Sequence, residues 1–236
     1  MGRRIEIADE RGTTLVELMV ATAAGLVVLS ALSMVILVSL HSSTRVSARV
    51  HATQNAQLAL EKIMSELHSA CVAPKMSPVQ AGSTGTTLIL VHAAPAEGTQ
   101  LTPKPIRSVI SLSGGTISQT DFAATTETQP WGFSKTAIPP GTRQLATGIS
   151  PIPPSTWIFS YYAYANGQLS ETRLPDVPEL NAIDATHAVE VRVALNAAPS
   201  SAPTTEKNAS ASVQNSAVLR LTPPSYNELA ESLPCQ

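Results

Sequence analysis

Arg11-Gly12-Thr13-Thr14-Leu15-Val16-Glu17-Leu18-Met19-Val20 opens an apolar run that continues to Leu40. The 23 residues from Leu18 to Leu40 contain neither charge nor proline. As a helix at 1.5 Å per residue they extend about 35 Å, enough to cross a hydrocarbon core of about 30 Å. One carboxylate, Glu17, stands at the entry to the run, where an ionised acid costs on the order of 3 kcal/mol unless it finds a partner. The stretch reads as a membrane helix with a single charge at its start.

The helix is expected to continue well beyond the span. No glycine or proline occurs between His41 and Cys71, and Pro74 is the next breaker. Counted from Thr14 to Cys71, the helix is expected to be about 85 Å long. Val46, Val50, Thr53, Gln57, Leu60, Met64, Leu67 and Cys71 follow a four-three spacing that lays a mostly apolar stripe along it. Ala56, Ala59 and Ile63 widen the stripe, while Glu61, Lys62, Ser65 and Glu66 are placed on another face. The C-terminal half of the stripe is expected to pack on a sheet, with Ile63, Met64 and Leu67 as anchors.

After Pro74 the texture changes to short β-type segments between runs of Ser, Thr, Gly and Pro. Strands are expected at Thr86–His92, and at Ile106–Leu112 and Thr116–Phe122 flanking Gly114-Gly115. Trp157–Ala165, Asn166-Gly167 and Gln168–Arg173 form the strongest hairpin signal. Ala188–Leu195 alternates Val189, Val191, Val193 and Leu195 with polar or small residues, as a half-buried strand does. A last strand is expected at Val218–Leu221, and residues 123–156 and 196–212 read as loops. The fold class is therefore α+β, a long N-terminal helix packed on an antiparallel sheet domain.

Composition narrows the function classes. Beyond Leu40 there are 12 Lys and Arg against 13 Asp and Glu, so no basic field exists for a phosphate backbone and nucleic acid is not an expected partner. His41, His51, His68, His92 and His187 show no metal-type spacing with one another or with the cysteines and read as surface or sheet-edge residues. There is no nucleophile elbow, phosphate loop, paired carboxylate or calcium loop, so neither catalytic residue nor cofactor is assigned. Trp157, Phe159, Tyr161, Tyr162 and Tyr164 are expected to serve mainly as core, with a binding face as the alternative. Cys71 and Cys235 are compatible with one disulfide on an oxidising side, or with two free thiols. If paired, they tie the C-terminal tail to the end of the long helix.

Gly12 lies before the apolar run, whereas a secretory signal is cut after it. Gly12-Thr13-Thr14-Leu15-Val16-Glu17-Leu18 with the apolar run behind it resembles the N-terminal cleavage and methylation segment of type IV prepilins and type II secretion pseudopilins. The helix-then-sheet order is similar to minor pilins and pseudopilins of the PilW and J type. The resemblance implies a pilin-like fold with a leader at 1–12, an assembly helix at 13–40, its amphipathic continuation at 41–73 and a β-rich head at 74–236. It implies cleavage by a prepilin peptidase between Gly12 and Thr13, N-methylation of Thr13, and an assembly role for Glu17 against the N-terminal amine of a neighbouring subunit. Thr13 stands where the family most often has Phe. The implied partners are other pilin or pseudopilin subunits, the prepilin peptidase, an inner-membrane assembly platform and, before assembly, membrane lipid. The implied location is the bacterial inner membrane with the head outside the cytoplasm, then an extracytoplasmic filament. The alternative is an uncut, single-pass anchored protein whose β domain binds a ligand.

Overall fold

Helix α1 runs without a break from Leu15 to His68, 54 residues. The computed structural model describes residues 14–71, 76–93, 105–126, 131–175, 179–199 and 210–219, and the chain divides after Ser47 into two compact units.

In the first unit α1 is exposed throughout, and from Leu18 to Leu40 it is uncharged and apolar on every side; Leu15, Leu26, Met34 and Val38 each expose between 68% and 73% of their surface. A helix of that kind cannot stand in water. It is long and apolar enough to cross a membrane. Three hydroxyl groups of the apolar run are satisfied within the helix itself. Thr22 donates to the Met19 carbonyl at 2.9 Å, Ser30 to Val27 at 2.8 Å and Ser33 to Leu29 at 2.8 Å, so these donors need no water.

In the second unit the remainder of α1 turns amphipathic. Its buried face is Ala52, Ala56, Ala59, Leu60, Ile63, Met64 and Leu67, so the expected anchors Ile63, Met64 and Leu67 are in the core. The upper part of the predicted stripe is displaced. Val46 and Val50 are 61% and 47% exposed, whereas Ala56 is fully buried. Alanine lets the helix backbone come close to its neighbours, and a count of large apolar residues overlooks it. The helix also ends earlier than expected, because Ala70 and Cys71 leave it to pair with the next strand. The Cys71 amide donates to the Val91 carbonyl at 2.9 Å, and Ala70 bridges His92.

The first sheet is an antiparallel meander in spatial order β1(Thr87–Ala93), β2(Pro105–Ser113), β3(Thr116–Ala123), β4(Arg143–Thr147). The β2–β3 turn uses Gly114 and Gly115 at φ +55° and +78°, the mirror-image turn that hairpins favour. In the second sheet β9(Glu190–Ala197) is central. It pairs β10(Ala211–Val218) on one side, and β5(Ile149–Ser150) and β6(Phe159–Tyr162) on the other. Alternate β9 residues Val191, Val193, Leu195 and Ala197 are fully buried, and they join Leu88, Leu90, Ile110, Ile117, Phe159, Tyr161 and the α1 face in one core.

Several expectations need correction. The stretch 123–156 is not a loop, for it contains β4 and β5. The final strand is Ala211–Val218, earlier than predicted, with Leu219 adding one bond to Val189 and residue 221 outside the described residues. The Asn166-Gly167 turn forms as expected, at φ +54° and +78°. Yet it joins only two-residue strands, β7(Tyr164–Ala165) and β8(Gln168–Leu169), because the aromatic segment pairs with β9 instead, Phe159 opposite Val193. A one-and-a-half-turn helix α2(Ala182–His187), capped by Asn181, was not anticipated.

Candidate functional site

Two places concentrate chemistry, one in each unit. At the start of α1 the Glu17 carboxylate folds back on the helix terminus. Its Oε2 accepts from the Thr14 amide at 3.1 Å and from the Thr14 hydroxyl at 3.2 Å, while the Glu17 amide lies 3.3 Å from Thr14 Oγ1. The Thr14 carbonyl accepts the first helical bond, from Leu18 at 3.2 Å. This is a capping box, the reciprocal satisfaction of two orphan amides. The T-x-x-E spacing from Thr14 to Glu17 was the signal for it in the sequence. The cleavage residues Gly12 and Thr13 lie outside the described residues.

The second place is a polar cluster between α1 and the helix-facing side of the first sheet. Here Glu66, assigned by helical periodicity to an outer face, is 3% exposed. Gln119, 1% exposed on β3, donates its amide nitrogen to Glu66 Oε1 at 2.7 Å and to Asp121 Oδ1 at 2.7 Å. Arg143 on β4 donates to Gln119 Oε1 at 2.8 Å, so carboxylates on one side and a guanidinium on the other fix which way the amide faces. Lys62 completes the set with its ammonium 3.1 Å from Glu66 Oε1. Glu66 Oε2 is buried without a hydrogen-bond partner.

His92 belongs to the same cluster. It was expected at the surface or at a sheet edge; it lies on the edge strand β1, yet it is 7% exposed, since residues 70–71 and 78–80 cover the outer edge of that strand. Its Nε2 lies 2.8 Å from Ser108 Oγ, and Ser108 donates to Asp121 Oδ1 at 2.5 Å. The order matters chemically. A serine whose single proton goes to aspartate is not deprotonated by the histidine, and Ser108 is fully buried. The trio lacks the arrangement of an activated nucleophile. It functions as a helix–sheet clamp with two carboxylates, Glu66 and Asp121, balanced by Lys62 and Arg143.

The other predicted residues separate. Cys71, 1% exposed, packs with Val91 and Trp131 on the opposite side of the first sheet; Cys235 lies outside the described residues. Of the aromatic segment, Phe159 and Tyr161 are fully buried, and the Tyr161 hydroxyl donates to the Thr84 carbonyl at 3.0 Å. Trp157 and Tyr164 are 37% and 58% exposed. Arg192 lies 4.1 Å from the Tyr162 ring and bonds Glu190 at 2.8 Å; Glu190 raises its pKa while burial opposes the rise. Among the described residues no three His, Cys, Asp or Glu side chains converge as metal ligands. No protein-family model matches the chain, and no curated protein matches it.

Proposed function

We propose that the chain is a structural subunit, a minor pilin or pseudopilin, of a type IV pilus or type II secretion-like filament. The observation that carries this reading is the first unit of α1, an exposed apolar helix whose first turn holds one carboxylate bonded to Thr14. The Gly12-to-Glu17 motif ahead of an intact span and the α+β character of the chain support it further. On this reading a prepilin peptidase cuts after Gly12, and Thr13 becomes the methylated first residue. The subunit is stored in the bacterial inner membrane with its head outside the cytoplasm. An assembly platform then moves it into a bundle of neighbouring subunits. Its work is mechanical and it needs no catalytic residue or cofactor. Glu17 exchanges the Thr14 amide for the amine of a neighbouring subunit, so the charge keeps a partner throughout. A Cys71–Cys235 bridge anchors the C-terminal tail to the buried pocket around Trp131.

Intact-mass and N-terminal analysis of protein from the native host is expected to find a chain beginning at Thr13, with thiols that react only after reduction. Glu17→Ala is expected to abolish filament incorporation while leaving the head folded. A chain beginning at Met1 whose behaviour is indifferent to Glu17→Ala would overturn this reading in favour of an uncut, anchored binding protein.

A further inference from the structure

Arg107 is the third residue of β2, on the side of the first sheet that faces away from the Glu66 clamp. Its register partners are Val91 on β1 and Phe122 on β3. The guanidinium lies 4.8 Å from the Phe122 ring centroid and 5.5 Å from that of Phe133, both within cation–π range. Phe133 is itself held by an antiparallel bridge to Ala124 and packs against the Cys71, Val91 and Trp131 cluster. The two rings attract the positive charge, but they use none of its N–H donors. Arg107 Nε is buried without a hydrogen-bond partner. Among the described residues no carboxylate lies within ion-pair distance of it, whereas Arg192 has Glu190 and Arg143 has Asp121. A half-buried cation with unspent donors and no counter-charge among the described residues is an unfinished arrangement.

We propose that Arg107 is a receptor for a carboxylate presented by another polypeptide. The planar fork of N–H donors matches a carboxylate bidentately. The flanking rings fix its plane in advance, so little freedom remains to be lost on binding. A phosphate would call for a second cation. The neighbouring positions on that side of the sheet, Ile89, Val91, Ala93, Val109, Thr120 and Phe122, supply none. One charged contact of this kind holds a free carboxylate only at about 10–100 mM, so it is effective as one contact inside a larger protein interface. The inference does not depend on the filament reading.

The test uses the full chain in detergent micelles with arginine labelled at nitrogen. The Arg107 Nε–Hε resonance is the one that disappears in Arg107→Lys. Sodium acetate is expected to shift it saturably with a midpoint of about 10–100 mM, with no shift from sodium chloride at equal ionic strength. The Arg143 and Arg192 resonances, already paired, are expected to stay in place. The capped tripeptide acetyl-Ala-Glu-Ala-amide is expected to move the same resonance at an equal or lower midpoint. No saturable response to acetate, or an equal one to chloride, makes Arg107 a merely structural arginine and overturns the proposal. Tighter binding of inorganic phosphate overturns the choice of carboxylate. Acetate saturation below about 1 mM, or failure of the peptide where acetate succeeds, overturns the polypeptide as its source.

Discussion

A carboxylate 3% exposed needs its partners in place, and Glu66 has two of unequal value. Gln119 is buried with it, while the Lys62 side chain remains 46% exposed. Removing Glu66 leaves one buried N–H of Gln119 without its partner while Asp121 keeps the other, so Glu66→Ala is expected to destabilise the second unit by about 1–3 kcal/mol. Lys62→Ala is expected to cost less than about 1 kcal/mol, since its ion pair is screened by water. Chemical denaturation of both variants separates the two values; equal losses would assign the clamp to the ion pair instead. Arg192 adds no pH dependence at ordinary pH, because a guanidinium pKa raised by Glu190 keeps the charge in place until far above neutrality. At this scale the sequence was only partly legible. Glu66 four residues after Lys62 looks like an ordinary surface pair, and only the arrival of Gln119 from 53 positions away reveals its burial. Glu17 was legible as a significant charge, but its local partner Thr14 needed the T-x-x-E spacing to be read as a cap.

Elements declared themselves in proportion to how much large apolar surface they bury. β1, β2, β3 and β9 lie close to their predicted positions, and β9 buries Val191, Val193, Leu195 and Ala197 in alternation. β4 presents only Leu145 and Ala146 to the interior, and β10 is mostly exposed Ser, Gln and Asn with Ala217 buried. Their strand state comes from a neighbour's unpaired backbone, a tertiary cause invisible in local composition. The α1 face teaches the same lesson in reverse. Ala52, Ala56 and Ala59 are buried because they are small, and close packing leaves little space for added atoms. Ala56→Leu is therefore expected to destabilise by about 1–3 kcal/mol, and Leu58→Ala, at a position 64% exposed, to change stability by less than about 0.5 kcal/mol. Thermal unfolding of the two variants checks the ranking.

For the molecule as a whole, the two units differ in how they treat water. Residues from Leu15 to Leu40 expose nearly every large apolar side chain, whereas the second unit closes its own core. A fragment spanning residues 48–236 is expected to fold and stay soluble without detergent, and the full chain to require it. Size-exclusion chromatography and circular dichroism of both settle the point; an aggregated fragment would mean that the second unit needs the span to fold. The two sheets of that unit are joined at Gly148, the residue between β4 and β5, at φ +70°. An added Cβ there would collide with the Ala198 carbonyl oxygen. That junction also sets an order in time. The meander of the first sheet closes through pairs no more than 31 positions apart, while β9 must gather β6 from 28–34 and β5 from 46–48 positions back, and distant closures are slower. The first sheet is thus expected to gain amide protection before the second during refolding. Gly148→Ala should leave that early protection intact while delaying or weakening protection along β9, as pulsed hydrogen exchange can read strand by strand.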